Sequence, residues 1–280
     1  MVSLIQQISK QLAPLGQSAR QQASWLIEYV LGYSPTQLLA QPNPPIKPEQ
    51  QQQLQEYVNR LLKHEPIQYV LGEAYFYGYK FKVSPAVLIP RPETEELVHH
   101  IVLRHKNAKN LSGLDLCTGS GCIAISLAKE LPQAKLTATD VSIAALQVAQ
   151  ENNAGLEAEI VLLQHDILKE EITGQYDFLV SNPPYVRPSE KEQMHSNVLD
   201  WEPHLALFIP EEDPLLFYRS IAQKALTSLK PNGWLYFEIN EAYGQQNAEM
   251  LQQLGFSKVQ ILKDMQGKDR MLEAQLISSL

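Results

Sequence analysis

Asn182-Pro183-Pro184-Tyr185 is the stretch of this 280-residue sequence best suited to chemistry on nitrogen. It follows an apolar run, Phe178-Leu179-Val180, that reads as a buried strand ending at Ser181. Two consecutive prolines cannot continue a central strand, because neither has an N–H to donate and both fix φ. The chain must leave the sheet here in a stiff, extended turn. Such a turn presents two acceptors, the Asn182 side-chain oxygen and the Pro183 carbonyl, and Tyr185 adds a flat aromatic wall. A planar –NH2 group matches this set: its two hydrogens go to the two acceptors and its plane lies along the ring. A nitrogen held that way can aim its lone pair at an electrophile. An ordinary strand-to-loop exit draws on the same residue types, so the tetrapeptide alone decides nothing.

The elements upstream would position a partner for that nitrogen. From Leu111 onward strands and helices alternate, which predicts a parallel α/β sheet. Leu114-Asp115-Leu116 reads as the first strand. It runs into Thr118-Gly119-Ser120-Gly121 and then a helix carrying Ile123, Ile125 and Leu127; glycines here let the backbone turn tightly and approach a ligand closely. The second strand, Lys135 to Thr139, ends in Asp140. That position, about 20 residues past the glycine loop, suits a carboxylate accepting from ribose hydroxyls. A third strand, Ile160 to Leu163, leads to His165-Asp166-Ile167, where Asp166 could accept from an adenine amino group and Ile167 pack on the ring. The fourth strand delivers Asn182, so all four strand ends share the edge where open α/β sheets bind ligands.

Gly119-x-Gly121-x-x-Ala124 also fits a dinucleotide fingerprint, and the loop alone leaves a dehydrogenase open. A dehydrogenase of that fold has no call for Asn-Pro-Pro-Tyr after its fourth strand. The combined order of glycine loop, acidic strand end, Asp166 and Asn-Pro-Pro-Tyr points to an S-adenosylmethionine-dependent methyltransferase. The tetrapeptide is similar to the active-site motif of methyltransferases that act on amide or exocyclic amino nitrogens. Two other readings stay open at this point: an adenine-N6 methyltransferase acting on a flipped base, and a non-catalytic nucleotide-binding or scaffold protein.

Composition narrows the partners. Hydrophobic residues make up 44% of the chain, enough for a substantial core. The formal net charge of −8 lacks the basic excess of a protein that relies on phosphate contacts, so no direct nucleic-acid partner is expected. No apolar run reaches the roughly 18 residues of a membrane span, and no signal pattern opens the chain. A cytoplasmic, soluble monomer is the expectation. Two cysteines, Cys117 and Cys122, are too few for a disulfide framework, and the scattered histidines suggest no metal site.

The first 72 residues read as a small helical domain. Leu4, Ile5, Ile8 and Leu12 recur at helical spacing until Pro14 and Gly16. Ser18 is expected to cap a second helix that carries Trp25, Leu26, Tyr29, Val30 and Leu31 and ends at Gly32. Pro35 opens a short third helix, and Pro48 a fourth through Leu62. Residues 73–89 change pattern: Tyr75, Tyr77 and Tyr79 alternate around Gly78, which predicts a β-hairpin linker. Residues 90–280 form the α/β domain. Thr94 is expected to cap its first helix, whose stripe is Leu97, Val98, Ile101 and Val102. Toward the end, Pro214 to Ser228 reads as a helix, Trp234 to Ile239 as a strand, and Val259 to Lys263 with Met271 to Leu276 as a closing pair. Glu238 and Glu241 are expected to be solvated.

Several longer segments carry a closer likeness. Pro66-Ile67-Gln68-Tyr69-Val70-Leu71-Gly72, Val83-Ser84-Pro85, Leu88-Ile89-Pro90-Arg91-Pro92-Glu93-Thr94-Glu95 and Asn182-Pro183-Pro184-Tyr185 resemble the release factor glutamine methyltransferase family. Trp201-Glu202-Pro203-His204-Leu205-Ala206-Leu207 and Gly267-Lys268-Asp269-Arg270 fit as well, and the likeness spans nearly the whole chain. It implies a Rossmann-like, mostly parallel class I S-adenosylmethionine-dependent methyltransferase fold preceded by an all-helical substrate-docking domain. It implies S-adenosyl-L-methionine held by Cys117, Thr118, Gly119, Ser120, Gly121, Asp140, Asp166, Ile167 and Asn182. The substrate implied is the glutamine of the Gly-Gly-Gln loop in class I peptide chain release factors, its amide bounded by Asn182, Pro183, Pro184 and Tyr185, with Asn182, Pro183 and Tyr185 catalytic. One departure stands out: Cys117 replaces the family's usual first glycine.

Overall fold

In the computed structural model, which describes residues 3–277, the chain divides into two units: Met1–Glu73 with His195–Trp201, and Ala74–Met194 with Glu202–Leu280. The first unit is helical, with α1 (Leu4–Gln11), α2 (Ala19–Leu31), α3 (Pro35–Ala40), α4 (Pro48–Leu61) and α5 (Ile67–Leu71). Ser3 and Gln6 close a reciprocal capping box on α1, and Ser34 and Gln37 do the same on α3. Ser18 does not cap α2. A 3-10 turn over Ala13–Ser18 runs straight into that helix, so Ser18 is already helical and its hydroxyl donates to the Leu15 carbonyl at 3.2 Å. The buried face of α2 also differs from expectation: Ala19, Ala23, Leu26 and Ile27 face the core, while Trp25 and Tyr29 are exposed. Small residues at 19 and 23 let neighbouring helices approach where the aromatics could not. Helix α5 is too short for periodicity to reveal; Arg60 supports it by donating to the Tyr69 and Val70 carbonyls.

The second unit begins with a hairpin, β1 (Glu73–Phe76) and β2 (Tyr79–Lys82). Its turn is Tyr77-Gly78, both at positive φ, and its buried side chains are Ala74, Phe76 and Phe81 rather than the tyrosines. Helix α6 (Pro92–His105) buries Leu97, Val98 and Ile101. Then β3 (Ser112–Leu116), α7 (Cys122–Glu130), β4 (Lys135–Asp140), α8 (Ile143–Leu156), β5 (Val161–Gln164) and β6 (Tyr176–Ser181) alternate. Short helices α9 (Ser196–Trp201, in the first unit) and α10 (His204–Leu207) precede α11 (Leu216–Ser228), β7 (Leu229–Glu238), α12 (Gly244–Gln253), β8 (Ser257–Lys263) and β9 (Asp269–Gln275).

The seven strands order as β5-β4-β3-β6-β7-β9-β8. Neighbours from β5 through β7 are parallel, and β9 is antiparallel to both β7 and β8. Phe178, Leu179 and Val180 are fully buried, as a strand covered on both faces must be. Successive connections go outward from β3 in one direction through β4 and β5, then in the other through β6 and β7. The reversal falls between β3 and β6, where a ligand crevice opens at the carboxyl ends of strands. No helix among the described residues is long and apolar enough to cross a membrane.

Candidate active site

A cavity of about 360 Å³ lies at that crevice. Its wall combines the turn 86–91, the loop 117–120, the strand-end residues 140–142 and 165–169, Asn182, Pro184, and a rim of Pro203, Leu205 and Phe217. Ser181 ties the tips of β6 and β3 together, its buried hydroxyl donating to the Leu116 carbonyl at 2.7 Å.

The loop after β3 is wound tightly: Cys117, Gly119 and Gly121 all take left-handed φ, at +62°, +55° and +82°. This explains why glycine suits position 117, and why a cysteine there carries some backbone strain. Thr118 faces inward, donating to buried Asp115 at 2.5 Å. Burial pushes the Asp115 carboxyl up to about 7, against the pull of the Thr118 hydrogen bond. At Gly119 a side chain would meet nothing within 4 Å, so the cavity reaches the backbone itself there. The buried Ser120 hydroxyl, also on the wall, has no hydrogen-bond partner within ordinary distance among the described residues. Gly121 is different. It lies off the wall, and a Cβ there would come 3.0 Å from Ile125 and 3.3 Å from Ala149, so its role is the close packing of α7 on α8. This packing, together with the positive φ, requires glycine at 121 whatever the loop binds.

Asp140 and Asp166 both reach the cavity. Asp140 accepts from the Gly119 and Ser142 N–H groups, each at 2.9 Å, and burial raises its pKa against those two bonds. Asp166 accepts from Leu168 N–H at 3.0 Å and pairs with Lys169 at 2.8 Å, which holds its carboxyl below the usual range. Ile167 is buried and adds an apolar surface between them. Each carboxylate oxygen has two lone pairs, so both groups retain acceptor capacity toward a ligand. Open backbone at Gly119, two half-buried carboxylates and an apolar patch fit a ligand with ribose hydroxyls, an amino-bearing flat ring and a chain reaching toward Asn182.

Asn182 is half-buried on the wall, and its Nδ2 donates to Thr94 Oγ1 at 3.3 Å. Thr94 is not the cap of α6; Arg91 stands at that position, and Thr94, three residues in, is buried with its hydroxyl donating to Glu238 Oε2 at 2.5 Å. Glu238 is not solvated either. It is 2% exposed at the end of β7, and its other oxygen accepts from the Tyr185 hydroxyl at 3.1 Å. Burial raises the Glu238 pKa, opposed by those two hydrogen bonds and by the charge of Arg270. Glu241, in contrast, is exposed and pairs with Lys268 at 3.1 Å.

Pro184 lines the cavity, whereas Pro183 and Tyr185 lie off its wall. Tyr185 turns its hydroxyl to Glu238 and packs in the core beside β7, and burial raises its pKa. Among the described residues no group donates to the Pro183 carbonyl. Beyond the expected set, Arg91 lines the cavity and donates to buried Glu202 at 2.5 Å, while Ile89 N–H donates to the same carboxylate at 3.1 Å. This ties the proline turn to the segment Glu202-Pro203. Spacing could not have shown these pairings, although Thr94, Arg91 and Glu202 all sit in the longer motifs.

The fold and cavity define a class I S-adenosylmethionine-dependent methyltransferase fold. Residues 3–72 match the family model described as PrmC N-terminal domain, and residues 94–200 the one described as Methyltransferase small domain. The chain is 52% identical to the release factor glutamine methyltransferase of Bacteroides thetaiotaomicron over 226 residues, covering 80% of this chain and 81% of that one. It is 50% identical to the enzyme of the same name from Flavobacterium psychrophilum, covering 76% of each, and 44% identical to that of Streptococcus pneumoniae, covering 80% of each. A crystal structure of a methyltransferase from Pyrococcus furiosus shares the fold, with a TM-score of 0.53, 20% identity, and coverage of 79% of this chain and 98% of that one. The chain belongs to the release factor glutamine methyltransferase family.

Proposed function

We propose that the protein methylates the side-chain amide nitrogen of the glutamine in the Gly-Gly-Gln motif of class I peptide chain release factors, using S-adenosylmethionine, in the cytoplasm. The observation that carries this is the Asn182 amide: with Nδ2 committed to Thr94, Oδ1 is left as an acceptor next in sequence to the Pro183 carbonyl, to which no described residue donates. Asp140, Asp166, Ile167 and the loop 117–120 would hold the cofactor, which supplies an electrophilic methyl group on a sulfonium.

An amide nitrogen is a poor nucleophile because its lone pair is delocalised into the carbonyl. Asn182 Oδ1 and the Pro183 carbonyl would accept its two hydrogens, fix its plane and stabilise the positive charge that develops on nitrogen as the N–C bond forms. Holding the amide in one orientation lowers the barrier further. No carboxylate of the site is assigned to take the proton, which leaves to water after transfer. The buried Pro184 would close one side of the amide pocket, and Tyr185 would brace Asn182 from behind rather than form the wall itself.

A single glutamine pocket cannot recognise a protein. We assign that task to the helical domain, where Trp25, Tyr29 and Leu39 leave apolar surface exposed. Incubation with whole release factors, a free Gly-Gly-Gln peptide or duplex DNA, each with labelled S-adenosylmethionine, tests the assignment. Label should map to the glutamine, with kcat/KM far higher for the whole factor, since a peptide lacks the remote contacts that contribute positioning energy. Equal kcat/KM for peptide and factor would remove the docking role; transfer to DNA at a comparable rate would overturn the substrate.

A further inference from the structure

A side-chain amide is nearly symmetric in shape, so its orientation is set by its hydrogen-bond partners. For Asn182 the orientation decides function. With Oδ1 toward the cavity the residue can accept from a substrate –NH2; turned by half a rotation it would present its own –NH2 and repel one. The turn after β6 contains two prolines and offers few backbone donors to fix the choice. Something outside it must.

The chain of contacts runs from Asn182 Nδ2 to Thr94 Oγ1 at 3.3 Å, and from the Thr94 hydroxyl to Glu238 Oε2 at 2.5 Å. A threonine hydroxyl has one hydrogen. In the structure the Thr94 hydroxyl donates to Glu238 Oε2, and while that carboxyl is ionised it has no hydrogen to give back. The Thr94 oxygen can then only accept from Asn182, which requires Nδ2 on that side and sends Oδ1 to the other. The second oxygen of Glu238 is also an acceptor only, and it takes the Tyr185 hydroxyl at 3.1 Å. Tyr185 is fixed at its backbone too, Asn240 Nδ2 donating to its carbonyl at 3.3 Å. One carboxylate thus sets both ends of the tetrapeptide.

We infer that Glu238 and Thr94 are positioning residues, which through a one-way chain of hydrogen bonds hold the Asn182 amide with its oxygen toward the reacting nitrogen. The inference rests on the proposed role of Asn182 as acceptor. A purely structural reading is that Glu238 tethers α6 to the end of β7. A tether, however, needs no particular direction of hydrogen bonding. The two readings also differ in what removing the Thr94 hydroxyl does once Asn182 is gone.

The test uses the full chain with S-adenosylmethionine and a whole release factor. Thr94→Val, nearly isosteric but unable to relay, should lower kcat about 10–100-fold, the loss expected when one charge-assisted orientation is released. The KM for S-adenosylmethionine should stay within about twofold, and Thr94→Ser should recover most of the rate. Thr94→Val in an Asn182→Ala background should cost nothing further, because the group it orients is absent. In nitrogen-labelled protein without cofactor, the Asn182 side-chain resonance, identified by its loss in Asn182→Ala, should shift in Thr94→Val and return in Thr94→Ser. A normal kcat in folded Thr94→Val, an unmoved resonance, or full additivity with Asn182→Ala would overturn the inference. If Thr94→Val melts below the assay temperature, Thr94→Ala takes its place in the same cycle. A wild-type enzyme that does not methylate release factors would instead sink the proposed function, leaving the resonance experiment to judge the chain of contacts.

Discussion

The two sides of the crevice hold their carboxylates in different ways. On the β4–β5 side, Asp140 and Asp166 are half-buried and anchored by N–H groups or a lysine within their own loops, apart from the tie from Asp140 to Gly119 in the neighbouring loop after β3. On the β6–β7 side, Glu238 is buried and serves residues 144 and 53 positions away in sequence, Thr94 and Tyr185. The first arrangement places carboxylates on the cavity wall. The second lies off that wall and is taken up by Thr94 and Tyr185. On the proposed reading, binding and orientation are divided between the halves of one sheet edge: one side would meet the cofactor directly, and the other would fix the side chain that meets the substrate.

The division breaks most visibly at Asn182. Asn182→Ala should lower kcat by about 10²–10³ while changing cofactor affinity little, the cost typical of losing one preorganised transition-state acceptor. Asn182→Asp keeps an oxygen toward the cavity but cannot donate to Thr94, whose only hydrogen is donated to Glu238. Its rate should fall between wild type and Ala. Single-turnover rates with calorimetric cofactor affinities check both points; if Ala and Asp are both near wild type, Asn182 does not hold the amide and the two halves of the edge do not differ as described.

Across the crevice the effect should move from rate to affinity. Asp140→Ala removes a charge-assisted acceptor and the tie to Gly119, weakening S-adenosylmethionine binding by roughly 1.5–3 kcal/mol with a smaller change in kcat at saturation. Burial raises the Asp140 pKa, so as pH falls it takes up a proton before an ordinary aspartate would. Cofactor affinity should accordingly decline on acidification at higher pH than the usual aspartate range, and Asp140→Asn should flatten that part of the profile. Unchanged affinity in Asp140→Ala by calorimetry would reduce Asp140 to a strand terminator.

The same contrast explains how much could be read from sequence. Asp140, Asp166 and the glycine loop are local features, each a strand end followed by its own turn, and strand periodicity with loop spacing locates them. The parallel α/β alternation and the closing pair of strands follow from the same patterns; that the pair runs antiparallel is seen only in the structure. Thr94, Glu238 and the Arg91–Glu202 pair work through contacts between distant segments. Local rules gave Thr94 a capping role and Glu238 a solvent-facing one, since Thr near a helix start and Glu at a strand end usually have those roles. The packing at Gly121 is hidden for a related reason: the Ile125 and Ala149 side chains that crowd a Cβ there lie on two packed helices, and loop spacing alone does not reveal them.

The smallest expected effect concerns Cys117, which belongs to the binding side by position but lies on the fold's strained turn. Its φ of +62° costs a non-glycine residue on the order of 1 kcal/mol. Cys117→Gly would relieve that strain, yet it would also loosen the unfolded chain and remove a thiol that packs against the hydrophobic core. The terms oppose one another and are of similar size, so the net stability change should stay within about 1 kcal/mol. Cofactor affinity should change little if residue 117 contributes to the cavity through its backbone, whose conformation either residue supports. Cys117→Val separates strain from packing: a β-branched side chain at positive φ should destabilise clearly more than Gly, although it fills more space. Thermal melts of the three proteins with calorimetry on each give the comparison. A tenfold loss of affinity in Cys117→Gly would mean that the thiol itself faces the cofactor, and the binding side would then depend on a side chain at this turn as well as on its backbone.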